Sequence, residues 1–506
     1  MPLIKNYFTR YGRGALIALA VIVCAGFLIR AWVVVNPLED PGDDALAYRA
    51  LAESLYVDGT YGYKKDSSSG PEFKSPSDWS PGAPLIYAAA YYLTGGVRDG
   101  VARGVEAILG TAAILLAFLL TARLLGPPSS RRAPAGSLET TKNPDLTESS
   151  AGPAATDWRV ALGPLAAAAL VAFYPPFIHS TGALMSEPPA FFMLPASVLA
   201  FIWADRRLNA PPTGKNQTGA SFWSRIWPSL IPGLGFGLTA LIRPEYLSVC
   251  AAFALFLLIR AWVRSGPKLA FASSVLFVLA VLVPIVPWTI HNYHQLDRVV
   301  PVSTGSGKAL FTGTYYPGDG EYQQVKADLL LQQTGRRLDP SSNELEKIDP
   351  VPLFTRAANE YKAANGLPDL DRDAALGRLG RENFEKYLKE DPLGYAGMTV
   401  RKIGRMWGSG IGEAMSSPLG RALQILLVLA GLAGLARLAW RRRWEAIAVA
   451  LPIATVTAVA ALTLAPPRRN EILMTLVLPL AAVALDALVN RAPKEPETDN
   501  SPTTPA

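Results

Sequence analysis

The feature that most constrains this chain is its recurring apolar blocks of about 16 to 24 residues. A helix needs about that length to cross a hydrocarbon core of about 30 Å. The chain has 506 residues, 50% of them hydrophobic, and a soluble protein of that size would divide into several domains. Here the apolar residues are gathered instead of spread, and the fold class predicted is an all-α polytopic membrane protein. Ten spans are predicted, at 14–36, 101–124, 159–178, 183–204, 227–242, 246–264, 269–290, 417–440, 445–464 and 471–489.

Orientation follows from Lys and Arg in the short loops. The N-terminus, 123–159, 205–225, 260–268, 437–443 and the tail are basic. Placing all of them in the cytoplasm gives a consistent alternation over ten crossings with both termini inside. The net charge of +7 therefore reports topology and does not point to nucleic acid. The block from Gly14 to Val35, after Lys5, Arg10 and Arg13, is too long for a cleaved leader and reads as a retained anchor. Cys24 and Cys250 both fall in apolar blocks, which argues against a disulfide framework or a cysteine metal site.

The stretch 81–96 is apolar but would reach only about 22 Å as a helix. Counting it as a span would also put the basic loop 123–159 outside, so it reads as a juxtamembrane or re-entrant helix of the outer face. The organisation predicted is a cytoplasmic N-terminus and first span (1–36), a first outer loop (37–100), six spans (101–290), a large outer loop (291–416), three last spans (417–490) and a cytoplasmic tail (491–506). Loop 126–157 and the tail have the Pro-, Ser- and Thr-rich composition of disorder. Helices are predicted in the large outer loop near 321–333, 350–365, 371–390 and 392–407, the last suited to lying along the membrane surface.

Against this pattern, arginines appear in two short outer loops: Arg243 in LIRPEY, and Arg468 and Arg469 in APPRRNE. Each alone could snorkel to headgroups. Three at one face suit an anion, since the guanidinium fork matches phosphate. Acids gather there too. Glu187 starts the fourth span near His179, and Asp43 and Asp44 open GDDALAYRALAESL. Asp43 reads as a helix N-cap. Asp44 lies in line with Tyr48, Leu51, Ala52 and Leu55 at helical spacing, which aims it at the protein or membrane and makes it a candidate general base or anion-repelling cap.

Several of these stretches together resemble the bacterial GT-C glycosyltransferases, the branch similar to family 39, the protein O-mannosyltransferases and the lipid A aminoarabinose transferase. The carrying residues are Asp44, Tyr48, Ala52, Leu55, Gly59 and Tyr61 to Tyr63, then WSPGAPLIYAAAYYLTG, MSEPPAFF, GFGLTALIRPEY, VPWTIHNYHQLDRVVPVSTGSGKALFTGTYYPG and PPRRNEILMTLVLPL. Two positions depart from the family: His291 replaces the usual Arg after P-W-T-I, and Trp79-Ser80-Pro81 stands where the aminoarabinose transferases carry a Lys before paired prolines.

The resemblance implies a GT-C bundle in the cell membrane. Its site would face the periplasm or exterior and move a sugar from a polyprenyl-phosphate donor to a lipid, glycan or protein acceptor. It implies Asp44, with Asp43 beside it, as the catalytic acid/base. Arg243, Arg468, Arg469 and Lys308 would bind the donor phosphate, and Tyr48, Glu187, His179 and His291 would position substrate. No metal site is assigned, though Glu187 and His179 could hold a divalent cation. A lipid-linked sugar transporter, a non-catalytic envelope-polysaccharide assembly protein and an O-antigen polymerase or ligase are the alternatives. A transporter would carry its polar groups at the middle of its spans, which are nearly free of ionisable residues here.

Overall fold

The computed structural model describes residues 11–38, 42–67, 70–74, 79–126, 158–210 and 221–490. Lys5, Arg10, almost all of the loop 126–157 and the tail from 491 lie outside them. The first span is α1 (Arg13–Val35). The first outer loop follows with α2 (Asp43–Val57), an antiparallel hairpin of β1 (Tyr63–Ser67) and β2 (Gly70–Lys74), and α3 (Gly82–Thr94). The 13 residues of α3 make a helix too short to cross, as its sequence predicts. Then come α4 (Asp99–Leu125), α5 (Leu162–Phe173), α6 (Pro175–His179) and α7 (Glu187–Leu208). The central spans close with α8 (Phe222–Ile242), α9 (Tyr246–Ser265) and α10 (Pro267–Leu296).

The segment predicted as the large outer loop holds α11 (Ser306–Thr314), which was not predicted, and then α12 (Tyr322–Thr334), α13 (Pro350–Ala364), α14 (Arg372–Glu390) and α15 (Pro392–Gly408), each within two residues of a predicted helix. It has its own core of Phe311, Val325, Leu330, Phe354 and Leu376. The chain ends in α16 (Pro418–Trp440), α17 (Glu445–Leu462) and α18 (Arg468–Val489). Among the described residues nine helices are long and apolar enough to cross a membrane.

The tenth predicted crossing, 159–178, is a broken helix and not a continuous one. Tyr174 is extended and followed by Pro175 and Pro176. Neither proline has an N–H, so the carbonyls four residues back, Val171 and Ala172, lose their helical donors. Arg30 of α1 supplies replacements: its Nη2 donates to Val171 O at 3.1 Å, and its Nη1 to Ala172 O at 3.1 Å and to Gly26 O at 3.0 Å. The guanidinium is fully buried, and Gly110 of α4 makes room for it, since a Cβ there would come within 2.9 Å of Arg30 Nε. The broken unit still traverses the bundle beside α18. At one end Asn490 Nδ2 donates to Arg159 O at 3.1 Å, and at the other Ser180 donates to Glu471.

Arg30→Met leaves both carbonyls without donors in the apolar bundle. It is expected to destabilise the protein by roughly 1–3 kcal/mol per orphaned carbonyl, read as a lower thermal midpoint in detergent. An unchanged midpoint would show that the break is satisfied in another way.

Candidate active site

The helix that opens on the two aspartates begins at Asp43, and the N-cap position falls on Gly42, whose carbonyl accepts from Leu46 N at 3.0 Å. Asp43 is therefore the first residue inside the helix and not its cap. The extended backbone that a cap needs sits on Gly42. One face of α2 buries Tyr48, Leu51 and Ala52 as its spacing predicts, with Ala45 buried as well and Leu55 only partly buried. Asp44 stands at the head of that face, about one third exposed, and its Oδ2 accepts from Arg468 Nη1 at 2.5 Å. These partners lie 424 residues apart in the chain.

Around this pair lies a cavity of about 340 Å³. The α1–α2 connection, the turn after α6, Ile411 and the start of α18 wall it, and His179, Glu187, Asp44 and Arg468 all reach it. Glu187 heads α7 and is buried. Its Oε1 accepts from Arg243 Nη1 at 3.0 Å and lies 3.9 Å from Arg468 Nε. Arg243 is extended, the conformation favoured before a proline, and α8 ends there. Its guanidinium is almost wholly buried and engaged at two of its nitrogens: Nη1 also donates to Ser186 Oγ at 3.1 Å, and Nε lies 3.2 Å from Glu245 Oε1. Burial acts to raise the Glu245 carboxyl, but Arg243 and Arg469 outweigh it and hold it below the ordinary value.

Tyr48 lies behind Asp44, edge-on to Trp79 with centroids 5.3 Å apart. Burial pushes its hydroxyl up to about 12, against the pull of Arg243 and a hydrogen bond with Ser186. Arg469 points away from Asp44 and donates to Thr463 Oγ1 at 2.8 Å. Lys308 does not line the cavity. Its ammonium lies 3.3 Å from the Tyr322 hydroxyl and 4.8 Å from the centre of the Phe354 ring. Burial, then the charge of Asp44, push that Tyr322 hydroxyl up to about 12, so Lys308 flanks the site at one remove. His291 stacks on Trp288 at 4.7 Å, outside the cavity wall.

The geometry therefore gathers Asp44, Glu187, His179 and Arg468, backs them with Tyr48 and Arg243, and leaves Arg469, Lys308 and His291 outside the cavity lining. A divalent cation does not fit this donor set. The Asp44 and Glu187 carboxylates each face a guanidinium, and no three His, Cys, Asp or Glu side chains converge to hold a metal among the described residues.

Sequence reasoning did not single out Glu106, Tyr87, Glu245 or Glu471, all part of the polar framework around the cavity. A signal existed for Glu106: it is a lone acid in the apolar stretch GVEAILG, and an ionisable group inside a span is costly unless partnered.

No protein-family model matches the chain, and no curated protein matches it in sequence. Similarity appears among solved structures. The archaeal oligosaccharyltransferase AglB from Archaeoglobus fulgidus, in complex with an inhibitory peptide and a dolichol-phosphate, is 14% identical at a TM-score of 0.51. That match covers 94% of this chain and 50% of that one. The apo form of the Archaeoglobus fulgidus oligosaccharyltransferase is 15% identical at a TM-score of 0.50, with the same coverage. ArnT from Cupriavidus metallidurans is 12% identical over 93% of this chain and 77% of that one, at a TM-score of 0.33. This chain spans about half the length of the oligosaccharyltransferases it matches. At these identities the likeness to the oligosaccharyltransferases speaks for architecture alone: the chain shares its fold with about half the length of those proteins.

Proposed function

We propose that this protein is an integral membrane glycosyltransferase that takes a sugar from a polyprenyl-phosphate donor and gives it to a cell-envelope lipid, glycan or protein on the outer face of the membrane. The observation that carries the reading is the Asp44–Arg468 pair at the cavity, an acid and a phosphate-type cation in direct contact. A displacement at an anomeric carbon needs those two functions side by side. Asp44 takes the proton of an acceptor hydroxyl as the acceptor oxygen bonds to the anomeric carbon. The bond from that carbon to the phosphate oxygen breaks, and the lipid phosphate leaves with the electron pair. Its charge rises as it leaves, so a guanidinium beside it stabilises the transition state more than the ground state. Arg468 is half-exposed to the cavity and free to exchange Asp44 for phosphate, whereas the Arg243 guanidinium is already engaged by Glu187 and Glu245.

The direct test is transfer of labelled sugar from a panel of polyprenyl-phosphate sugars by the purified protein. Transfer from a member of the panel supports the reading. Movement of a lipid-linked sugar across vesicles without transfer would replace it with a transporter. Arg468→Lys keeps the charge and loses the fork. It is expected to lower kcat/KM by about tenfold or more with little change in stability, measured by donor titration and a thermal midpoint.

A further inference from the structure

The wall that carries His179 and delivers Glu187 is the turn between α6 and α7. Two of its residues have left-handed backbones: Gly182 at φ +89° and Leu184 at φ +55°. Glycine takes this conformation freely, but leucine does so at a cost of about 1–2 kcal/mol. Leu184 is fully buried among Tyr48, Tyr87 and Tyr91, so something must hold it there.

In this turn the N–H groups of Gly182, Leu184 and Met185 converge on one place, while Ala183 N between them turns back to Ser180 O at 3.3 Å; such a concave set of donors favours an anion. Here a side chain of the protein fills it. Glu106 of α4 is fully buried. Its Oε2 accepts from Gly182 N at 2.7 Å and from Leu184 N at 3.4 Å, and its Oε1 accepts from Met185 N at 3.1 Å. Tyr87 of α3 closes the unit, its hydroxyl 2.5 Å from Glu106 Oε1 and 2.6 Å from Met185 O. One carboxylate thus ties α3, α4 and the turn together. The next two residues are Ser186 and Glu187, which meet Arg243. The other side of the same turn, from Ser180 to Ala183 and at Met185, faces the cavity.

We propose that Glu106 is a positioning residue for the transfer reaction: it fixes the strained turn that sets Glu187, and through it Arg243 and Arg468, against Asp44. The inference rests on the transferase reading, but its first readout does not. Hydrogen–deuterium exchange of the full chain in nanodiscs compares the wild type with Glu106→Gln, which puts an amide NH₂ among the N–H donors. Exchange at Gly182, Leu184 and Met185 is expected to rise by about tenfold or more while α18 stays protected. In sugar transfer, kcat per folded molecule is expected to fall by about 10- to 100-fold, with the donor KM within about threefold of wild type.

Should Glu106→Gln fail to fold, Tyr87→Phe keeps the carboxylate and removes its neighbour, and the same two readouts apply with a smaller rise centred on Met185. Unchanged exchange in a folded variant overturns the proposal. So does faster exchange with an unchanged kcat, since the turn would then be held for stability alone. If wild-type protein transfers from no donor while exchange still responds to Glu106→Gln, the transferase reading fails and the hold on the turn stands.

Discussion

Asp44→Asn is expected to remove sugar transfer, by about 10²- to 10⁴-fold in kcat, while the chain stays folded and inserted. Asn keeps the shape of the side chain and can still accept one hydrogen bond from Arg468, but it cannot take a proton from an acceptor. The two side chains are 31% and 39% exposed, so losing their ionic contact costs at most about 1 kcal/mol. The variant also leaves Arg468 without its carboxylate. A donor phosphate then meets no competitor for the guanidinium, and the donor KM is expected to stay level or fall as kcat collapses. Steady-state kinetics on the purified variant, beside a thermal midpoint, separate the two effects. Retained turnover would move the base elsewhere and return Asp44 to an electrostatic partner of α18.

Arg243→Met is expected to act in the opposite sense, on folding before function. The resemblance assigns Arg243 to the donor phosphate. In the structure it is a buried cation between Glu187 and Glu245, with Ser186 as a further partner. Removing one member of a buried ion cluster leaves the remaining charges uncompensated, at a cost of about 3–5 kcal/mol. A marked drop in folded yield and midpoint is the expected result. Adding Glu187→Gln to the same chain should recover part of the loss, because one stranded carboxylate becomes neutral. A normal midpoint with a raised donor KM would show instead that Arg243 opens to the phosphate.

The spans and the outer helices were readable because length and apolar content decide them locally. The face of α2 was readable because its period runs within one helix. Asp44 emerged from that same periodicity. What stayed hidden depends on contacts across the chain. Two prolines after Tyr174 announce a break, but nothing near them says that Arg30, more than 140 residues earlier, caps the freed carbonyls. Three arginines at one face were visible as a group. Which of them would be taken up by acids and which would reach the cavity is decided by three-dimensional pairing, so Arg243 and Arg468, alike as charges, end in different roles. Glu106 carried a signal as a lone acid in a span, but what it holds was hidden for the same reason, since its backbone donors lie 76 to 79 residues away.

The Arg30 clasp also sets a condition on how the molecule is assembled. The first helix enters the bilayer with a guanidinium whose inter-helix partners have not yet been synthesised. Until the broken helix arrives, that cation must reach toward the interface at the Asn36 end or bear the cost of standing in lipid. Arrival of α5 turns it inward and satisfies the two carbonyls freed by the prolines, Val171 O and Ala172 O. The first helix and the broken one are therefore a joint unit of biogenesis. A chain truncated between them strands a charge in the membrane, at the cost of an unpartnered ion in lipid.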